Sequence, residues 1–217
     1  MSLKEYREKR DFRISKEPYG SISKSGSKHP RSRIYVIHKH QASRLHYDLR
    51  LEHNGVLLSW AVPKGPSLDP SIKRLAIQVE DHPLEYAKFE GVIAEGQYGA
   101  GTVMVWDIGT WAPEQEDVTD ALKEGELKFT LRGKKLRGSW VLVRSRRYGR
   151  DAGKSWLLIK HRDRYASKED ITVAHPRSAL TGRLLVDIAR EQGGDVAKAA
   201  MGDPLGSAPL RSKGRNV

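Results

Sequence analysis

Three polar side chains alternate with apolar ones in residues 44–52. His46, Asp48 and Arg50 occupy every second position, and apolar residues fill the positions between them. Because successive side chains of a β strand point to opposite faces, the three polar groups would share one face. An imidazole and a carboxylate two residues apart can then reach the same metal ion. A solvated strand face could carry the same residues, so this pair alone is a weak indication of a metal site.

A third candidate ligand lies in the preceding predicted strand, residues 33–40. This segment ends with His38 and His40, which alternation places on one face. A set of His40, His46 and Asp48 would leave coordination positions open. Such a two-histidine, one-carboxylate set suits Mn, Fe or Zn in an open site rather than a closed structural zinc.

Arg50 on the same face favours phosphate chemistry, since a guanidinium can hold two phosphoryl oxygens at once. The next long strand is predicted over residues 73–82, and Tyr86 follows it closely. Alternation of that strand puts four polar side chains on one face: Arg74, Gln78, Glu80 and His82. A metal, an arginine and a histidine together would form a phosphoryl-transfer site, with the histidine as acid or phosphate donor. A polar strand end before Pro83 is the simpler alternative.

The elements that would hold these residues are predicted mainly as strands. The hairpin signal Asn54-Gly55 joins two of them. The Gly-rich residues 91–101 predict a tight turn and not a phosphate-binding P-loop, because no Gly-Lys-Ser/Thr ending follows. The predicted strands are residues 33–40, 44–52, 56–62, 73–82, 102–111, 126–133, 135–144 and 155–162. Seven or eight short strands at this spacing favour an antiparallel barrel or sandwich. Four tryptophans are predicted in its core: Trp60, Trp106, Trp140 and Trp156.

The chain is predicted to divide into three parts. Residues 1–33 form a basic N-terminal segment with a Ser/Gly/Lys-rich flexible loop at its end. Residues 34–175 form a mainly β domain, with a short acidic helix within 112–125. Residues 176–217 form short flanking helices, the first capped by Thr181, and a flexible, Gly/Pro/Ser-rich C-terminal tail.

The charge of the chain favours a polyanionic partner. The 217 residues carry a net charge of +12, from 39 basic and 27 acidic residues. The first fifty residues hold 13 basic and 5 acidic residues. A clustered positive field attracts phosphate backbones, although a basic protein without a nucleic-acid role would have the same composition. A second run contains no acidic residue and could follow a DNA backbone: Arg132, Lys134, Lys135, Arg137, Arg144, Arg146, Arg147 and Arg150.

Several protein classes are excluded by what the sequence lacks. There is no cysteine, so disulfides, thiol nucleophiles and cysteine-bound zinc or iron–sulfur centres are ruled out. No run of eighteen apolar residues predicts a membrane span. The charged N-terminus does not read as a secretory signal, so a cytoplasmic, nucleoid-associated location is expected.

Long motifs in this sequence resemble one family, the 3′-phosphoesterase domain of bacterial DNA ligase D, the repair ligase of non-homologous end joining. The resemblance extends over residues 9–166, about three-quarters of the chain. It is carried by residues 38–52 (HKHQASRLHYDLRLE), 58–67 (LSWAVPKGPS), 73–111 (beginning KRLAIQVEDHPLEY), 136–144 (LRGSWVLVR) and 156–166 (WLLIKHRDRYA).

The resemblance implies a compact β-barrel with a metal and phosphate site inside. It implies Mn²⁺-dependent trimming of DNA 3′ ends at primer–template junctions, with Co²⁺ or Zn²⁺ as alternative metals. A 3′-terminal ribonucleoside is removed to leave a 3′-phosphate, and the phosphate is then removed to leave a 3′-OH. The expected protein is a monomer with no membrane contact, working beside a separate DNA ligase or a Ku-type end-binding protein.

The resemblance also implies roles for individual residues. The metal ligands would be His40, His46 and Asp48. The phosphate would be held by Arg50 and His82, with Tyr86 beside them and Arg10 helping. Further positions implied for activity or for its diester step are Asp11, Glu17, Lys64, Arg74 and Glu80.

Two rival functions use the same residues. An Fe(II)/2-oxoglutarate oxygenase also places His-x-Asp on a barrel strand, and His82 would then be its third ligand. A non-catalytic DNA-end scaffold would keep the fold and the charge without turnover.

Overall fold

The computed structural model describes residues 3–20, 33–145 and 153–207. Within these ranges the chain forms nine strands, five α helices and one 3₁₀ helix, Leu84–Lys88. The strands are β1 (Arg33–Gln41), β2 (Leu45–His53), β3 (Val56–Val62), β4 (Lys73–Pro83), β5 (Gly91–Ile93), β6 (Gly101–Pro113), β7 (Glu126–Gly133), β8 (Arg137–Arg144) and β9 (Ser155–Lys160). The α helices are α1 (Lys4–Glu8), α2 (Val118–Glu124), α3 (Ile171–Ala174), α4 (Leu185–Gln192) and α5 (Val196–Ala200).

Eight of the strands close into an antiparallel barrel. Their order around it is β1-β2-β3-β4-β9-β8-β7-β6, and β6 pairs back onto β1. The ninth strand, β5, pairs with the first residues of β6, whereas β7 pairs with its last residues. Closure satisfies the backbone groups that an open sheet would leave unpaired at its edges. The predicted mainly β, antiparallel barrel is therefore confirmed.

The barrel interior is filled by apolar side chains from all eight strands. Burial of these groups is the main stabilising term of such a fold. The four tryptophans predicted for the core are all buried, each exposing at most 1% of its surface: Trp60, Trp106, Trp140 and Trp156. From β2 the core receives Tyr47, Leu49 and Leu51, the apolar half of the alternating segment.

A smaller apolar cluster lies on the opposite side of the barrel wall. Val36, Leu57 and Val105 contribute from β1, β3 and β6. Tyr6 of α1 and Tyr86 of the 3₁₀ helix pack onto them. The N-terminal segment and the 3₁₀ helix thus form a cover over the outer face of these strands.

Local sequence signals explain most element ends. Asn54 (φ 49°) and Gly55 (φ 80°) both adopt the left-handed conformation that a tight β2–β3 hairpin turn requires. The predicted acidic helix is α2, in which the Asp117 side chain accepts from the backbone N–H groups of Thr119 and Asp120.

The predicted N-cap of the first C-terminal helix was wrong. Helix α4 begins at Leu185, and the Asp187 carboxylate accepts from the Leu184 N–H at 2.9 Å. The Thr181 hydroxyl instead donates to Glu90 at 2.7 Å. A Thr three residues before an apolar helix face resembles a cap, but here it anchors the segment to the barrel.

The C-terminal helices close one end of the barrel. Leu185 and Ile188 of α4 belong to the main core. Lys39, which is buried, pairs with Asp203 at 3.6 Å, and Asp203 also accepts from the first N–H groups of α4.

Three features predicted from the sequence lie outside the described residues: the loop over residues 21–32, the tail over residues 208–217 and the basic residues Arg146, Arg147 and Arg150. No helix in the described part of the chain is both long and apolar enough to cross a membrane.

Candidate functional site

The three predicted metal ligands come together at one end of the β1–β2 pair. His40 and His46 are direct cross-strand partners, and their rings lie 4.7 Å apart. One ligand atom from each of His40, His46 and Asp48 lies within 4.8 Å of the other two. Direct pairing across the hairpin explains how ligands from two strands meet, since opposite side chains of an antiparallel pair are close neighbours.

Hydrogen bonds to backbone carbonyls fix which nitrogen of each histidine is free. A carbonyl can only accept, so Nε2 of His40, 2.9 Å from Gly99 O, carries the proton and leaves Nδ1 as the ligand atom. Nδ1 of His46 donates to Arg44 O at 3.0 Å, which leaves its Nε2 free. These free nitrogens face Asp48, at 4.0 Å and 3.7 Å respectively. Metal-binding histidines are typically oriented in this way.

The protonation states also suit a cation. Burial, with help from the neighbouring His46, lowers the pKa of His40 to about 4, so its imidazole is neutral near pH 7. Burial would raise the pKa of Asp48, but Arg50 and the two histidines lower it overall, so its carboxyl is ionised. A set of two histidines and one carboxylate fits Mn²⁺, Fe²⁺ or Zn²⁺.

Arg50 lies beside this group with part of its hydrogen-bonding capacity unused. Its Nε donates to His38 at 3.2 Å, its Nη1 to Ser59 at 2.8 Å and its Nη2 to Asp48 at 3.0 Å. The guanidinium has five N–H groups, so two remain without a partner among the described residues. Tyr86 covers the guanidinium at 4.9 Å. Arg50 is therefore rigidly held with two donors available for an anion.

His82 lies next to Arg50 and is neutral. Its Nδ1 donates to the Glu80 backbone carbonyl at 2.9 Å, and its Nε2 accepts from Arg10 at 3.3 Å. Burial, followed by the charges of Arg50 and Arg10, lowers the pKa of His82 well below its usual value. An anion bound here would counteract those two positive charges.

The N-terminal segment brings Arg10 into the site. The Arg10 guanidinium binds Glu17 at 3.0 Å and Glu80 at 3.3 Å, and its side chain is only 4% exposed. Lys9 binds the other oxygen of Glu80 at 3.0 Å. Tyr6 lies 3.9 Å under the Arg10 guanidinium. Buried carboxylates thus fix a cation over His82 and partly offset its charge.

The face assignment predicted for β4 was wrong in part. Gln78 points toward the core and accepts from the indole of Trp156 at 3.1 Å, whereas Val79 lines the site. The pairing of β3 with β4 shifts register between Leu57 and Ser59, so β4 has one extra residue there. This β-bulge turns Glu80 and His82 onto the site face. Simple alternation could not reveal it.

Eight of the predicted residues line one cavity of about 290 Å³: Arg10, His40, His46, Asp48, Arg50, Glu80, His82 and Tyr86. Glu17 lies behind Arg10. Asp11 binds Arg13 at 2.7 Å and does not line the cavity. Lys64 and Arg74 also lie outside the cavity wall, at the ends of β3 and β4.

The resemblance implied a site inside the barrel, but the cavity lies on the outer side of the barrel wall. His46, Asp48 and Arg50 alternate along β2 with core residues, and alternate side chains point to opposite faces. The cover formed by the N-terminal segment and the 3₁₀ helix turns this outer face into a cavity that remains open on one side.

Three residues of the site were not singled out from the sequence. His38 and Ser59 both accept from Arg50. His38 shares the face of His40 by alternation, which was the available signal. Tyr98 lines the cavity from the Gly-rich turn, where nothing in the local sequence indicates its direction.

Three side chains of the second basic run form hydrogen bonds to backbone carbonyls within the protein. Lys134 donates to Ala179 O, Lys135 to His175 O, and Arg144 to Lys123 O. These contacts tie backbone segments together, so the three side chains are less available for DNA than Arg132, which is exposed.

The fold and the site define a β-barrel protein in which a residue group that could hold a metal ion lies beside an arginine with two donors uncommitted within the described part of the chain. Residues 38–144 match the family described as "DNA Ligase D 3'-phosphoesterase domain". The "Multifunctional non-homologous end joining protein LigD" of Pseudomonas aeruginosa is 46% identical over 212 residues, covering 96% of this chain and 25% of the relative. The protein of the same name from Mycolicibacterium smegmatis is 40% identical over 167 residues, covering 74% of this chain and 21% of the relative.

A third relative is the "Multifunctional non-homologous end joining DNA repair protein LigD" of Mycobacterium tuberculosis (strain ATCC 25618 / H37Rv). It is 43% identical over 158 residues, which cover 71% of this chain and 19% of the relative. The chain therefore belongs to the DNA ligase D 3′-phosphoesterase domain family. It spans a quarter or less of the length of these curated relatives.

Proposed function

We propose that the chain is a metal-dependent phosphoesterase that heals DNA 3′ ends. It would remove a 3′-terminal ribonucleoside and then the 3′-phosphate, leaving a 3′-OH for ligation. The observation that carries this proposal is the group of His40, His46 and Asp48 beside Arg50, which lines the same cavity and keeps two N–H groups without a partner among the described residues. A cation and a phosphoryl group would be bound side by side there.

The proposed chemistry follows from the donors. Mn²⁺ is the proposed cation, with Co²⁺ or Zn²⁺ as substitutes, and when bound it would polarise the phosphoryl group and offset its charge. Arg50 would hold two phosphoryl oxygens, and Arg10 and Tyr86 would border the same group. A water molecule would attack phosphorus opposite the leaving oxygen, so that one P–O bond forms as another breaks and the protons of the water stay on the phosphate that is formed.

His82 would supply the proton that the leaving oxygen needs. Without substrate its imidazole is neutral, because burial and two arginines lower its pKa. The negative charge of a bound phosphate group would raise that pKa, so His82 would become protonated when substrate binds. Protonated Nε2 would no longer accept from Arg10, and its proton would then pass to the leaving oxygen.

The setting of this activity is proposed as follows. The substrate would be a DNA 3′ end at a primer–template junction, met by a monomer at the nucleoid in the cytoplasm. A separate DNA ligase or a Ku-type end-binding protein would act on the same ends. The end-joining names of the relatives support this setting.

The oxygenase alternative is not favoured by the site. Its third ligand would be His82, which is outside the metal-ligating group and has both ring nitrogens bonded, to Glu80 and Arg10. The DNA-end scaffold remains the alternative that experiment must exclude.

A 5′-labelled primer–template tests the proposal, prepared once with a 3′-phosphate and once with a single 3′-ribonucleotide. Conversion of both to a 3′-OH with Mn²⁺, abolished by EDTA and by Asp48→Ala, is expected. Asp120→Ala, an exposed carboxylate of α2, is the matched control and should retain activity. Turnover of the phosphate end alone would remove the nucleoside step from the proposal. DNA binding without turnover in Mn²⁺, Co²⁺ or Zn²⁺ would indicate the scaffold.

A further inference from the structure

The turn between β5 and β6 has a fixed shape. Two backbone hydrogen bonds close it, from Gln97 N to Ala94 O at 3.2 Å and from Ala100 N to Gln97 O at 3.1 Å. Gly96 and Gly99 take φ values of +79° and +76°, which glycine adopts without strain. The chain can therefore reverse tightly here and project a side chain between the two glycines.

This turn is also anchored on two sides. The Gly99 carbonyl accepts from His40 at 2.9 Å, and the Gln97 side chain accepts from the Asp11 N–H at 3.2 Å. The first contact sets the position of the turn against a metal ligand. The second ties it to the N-terminal segment that carries Arg10.

Tyr98, at the tip of the turn, presents an aromatic ring to the site cavity. The ring lines the cavity but stays 51% exposed. Lys9 Nζ and Arg10 Cζ lie 4.7 Å and 5.9 Å from its centroid. Both cations are paired with Glu80, so they hold the ring in place without making this side of the cavity strongly positive.

The two sides of the metal group differ in chemistry. On the β5–β6 side lie Tyr98 and Ile93, and Ile93 also borders a second cavity of about 560 Å³. On the other side, four cationic residues lie at or next to the corresponding ends of β2, β3 and β4: Arg44 before β2, Lys64 after β3, and Lys73 and Arg74 at the start of β4. His40 on β1 and His46 on β2 lie between the two sides.

The two products of the proposed diester cleavage differ in charge, and each matches one of these two sides. The retained DNA strand carries a phosphate on every nucleotide and needs cations along its path. The departing nucleoside has no phosphate, because the scissile group stays on the strand. Its base needs only an aromatic or apolar surface, and stacking on an aromatic ring suits any base.

We propose that Tyr98 forms a stacking platform for the base of the departing 3′-terminal nucleoside, a subsite that rests on the proposed function. Tyr98 is a specificity-determining residue: it favours ends that carry a nucleoside over ends that carry only a phosphate. Loss of one base–aromatic stack in other nucleic-acid complexes weakens binding roughly tenfold. The same factor is expected here for the nucleoside end.

The test compares kcat/KM for three primer–template ends: a 3′-ribonucleotide, a 3′-phosphate and a 3′-ribose that lacks its base. In Tyr98→Ala the ratio of nucleoside-end to phosphate-end kcat/KM should fall roughly tenfold, and Tyr98→Phe should restore it. On the base-free end, Tyr98→Ala should not lower kcat/KM in this way, because this end has no base to stack on the ring. Tyr165→Ala, which removes a tyrosine that also faces an arginine but lies outside the cavity, is the matched control.

Each other outcome has a definite meaning. An unchanged ratio in Tyr98→Ala would overturn the platform, as would the same tenfold loss on the base-free end. An equal loss on nucleoside and phosphate ends would show that Tyr98 acts on the retained strand or through His40. If the wild-type protein converts neither end, the proposed function itself fails, and this result is distinct from all the others.

Discussion

Arg50 offers the sharpest test of the anion site, because it can be removed without exchanging any proposed metal ligand. Its guanidinium keeps two N–H groups free of partners among the described residues, in the cavity wall beside Asp48. Arg50→Ala deletes those donors and the positive charge. If both donors bind phosphoryl oxygens more tightly as charge develops, their loss raises the barrier of the chemical step.

The size of the effect follows from related donors. Removal of a single preorganised donor to a developing oxyanion costs about 2.7–4 kcal/mol in other enzymes. For Arg50→Ala we expect on the order of 2–4 kcal/mol, or about 30- to 900-fold in kcat/KM for a 3′-phosphate end. Arg50→Lys should lose most of this transition-state stabilisation as well. An ammonium cannot bond His38, Ser59 and Asp48 together and still make a bidentate contact with the phosphoryl group.

The assay must separate phosphate binding from metal binding. Release of phosphate from a 3′-phosphorylated primer–template is measured at saturating Mn²⁺, and Mn²⁺ affinity is titrated separately, because Arg50 also bonds the ligand Asp48. Arg164→Ala removes an exposed arginine that lies outside the cavity and is the matched control. A loss of less than threefold in Arg50→Ala, with the metal still bound, would refute a direct role of Arg50 in holding phosphate.

Three further outcomes are expected. His46→Ala should abolish both phosphate and nucleoside release together with Mn²⁺ binding in calorimetry, and retained phosphatase activity would contradict the metal assignment. The affinity for a primer–template should fall steeply with salt, with a log–log slope of about −0.9 per phosphate neutralised; a flat response would exclude a backbone-tracking surface. Asp203→Asn should destabilise the fold by about 3–5 kcal/mol in urea unfolding, because it leaves Lys39 buried and unpaired. Adding Lys39→Met should recover most of that loss, and failure to do so would assign the effect to the start of α4.

The sequence predicts the strands well because their signals are local. Period-two alternation and turn residues such as Asn54-Gly55 depend on neighbours in the chain, and all eight predicted strands form. The proposed metal ligands could be grouped from the sequence for the same reason. His46 and Asp48 lie on one face of β2, and His40 is the direct partner of His46 across the β1–β2 hairpin.

The features that the sequence did not reveal depend on long-range pairing. The bulge in β4 arises from its register against β3, and it alone brings Glu80 and His82 to the site face. Thr181 has the residue type and spacing of a helix cap, but its hydroxyl instead donates a hydrogen bond to Glu90, which is far away in the chain. Tyr98 belongs to the site only because its turn is held by His40 and by the N-terminal segment.

The N-terminal segment shows why a site can lie on the outside of a barrel. A strand face that points to solvent leaves arginine and histidine with their ordinary hydration, which weakens their electrostatic effect on a substrate. Here Tyr6 and Arg10 cover that face, and Glu17 and Glu80 hold Arg10 in place. The barrel interior can then remain mainly apolar, while the cover supplies the low exposure that the proposed phosphoryl chemistry needs. A substitution that loosens this cover should therefore impair catalysis without removing any residue that touches the phosphate.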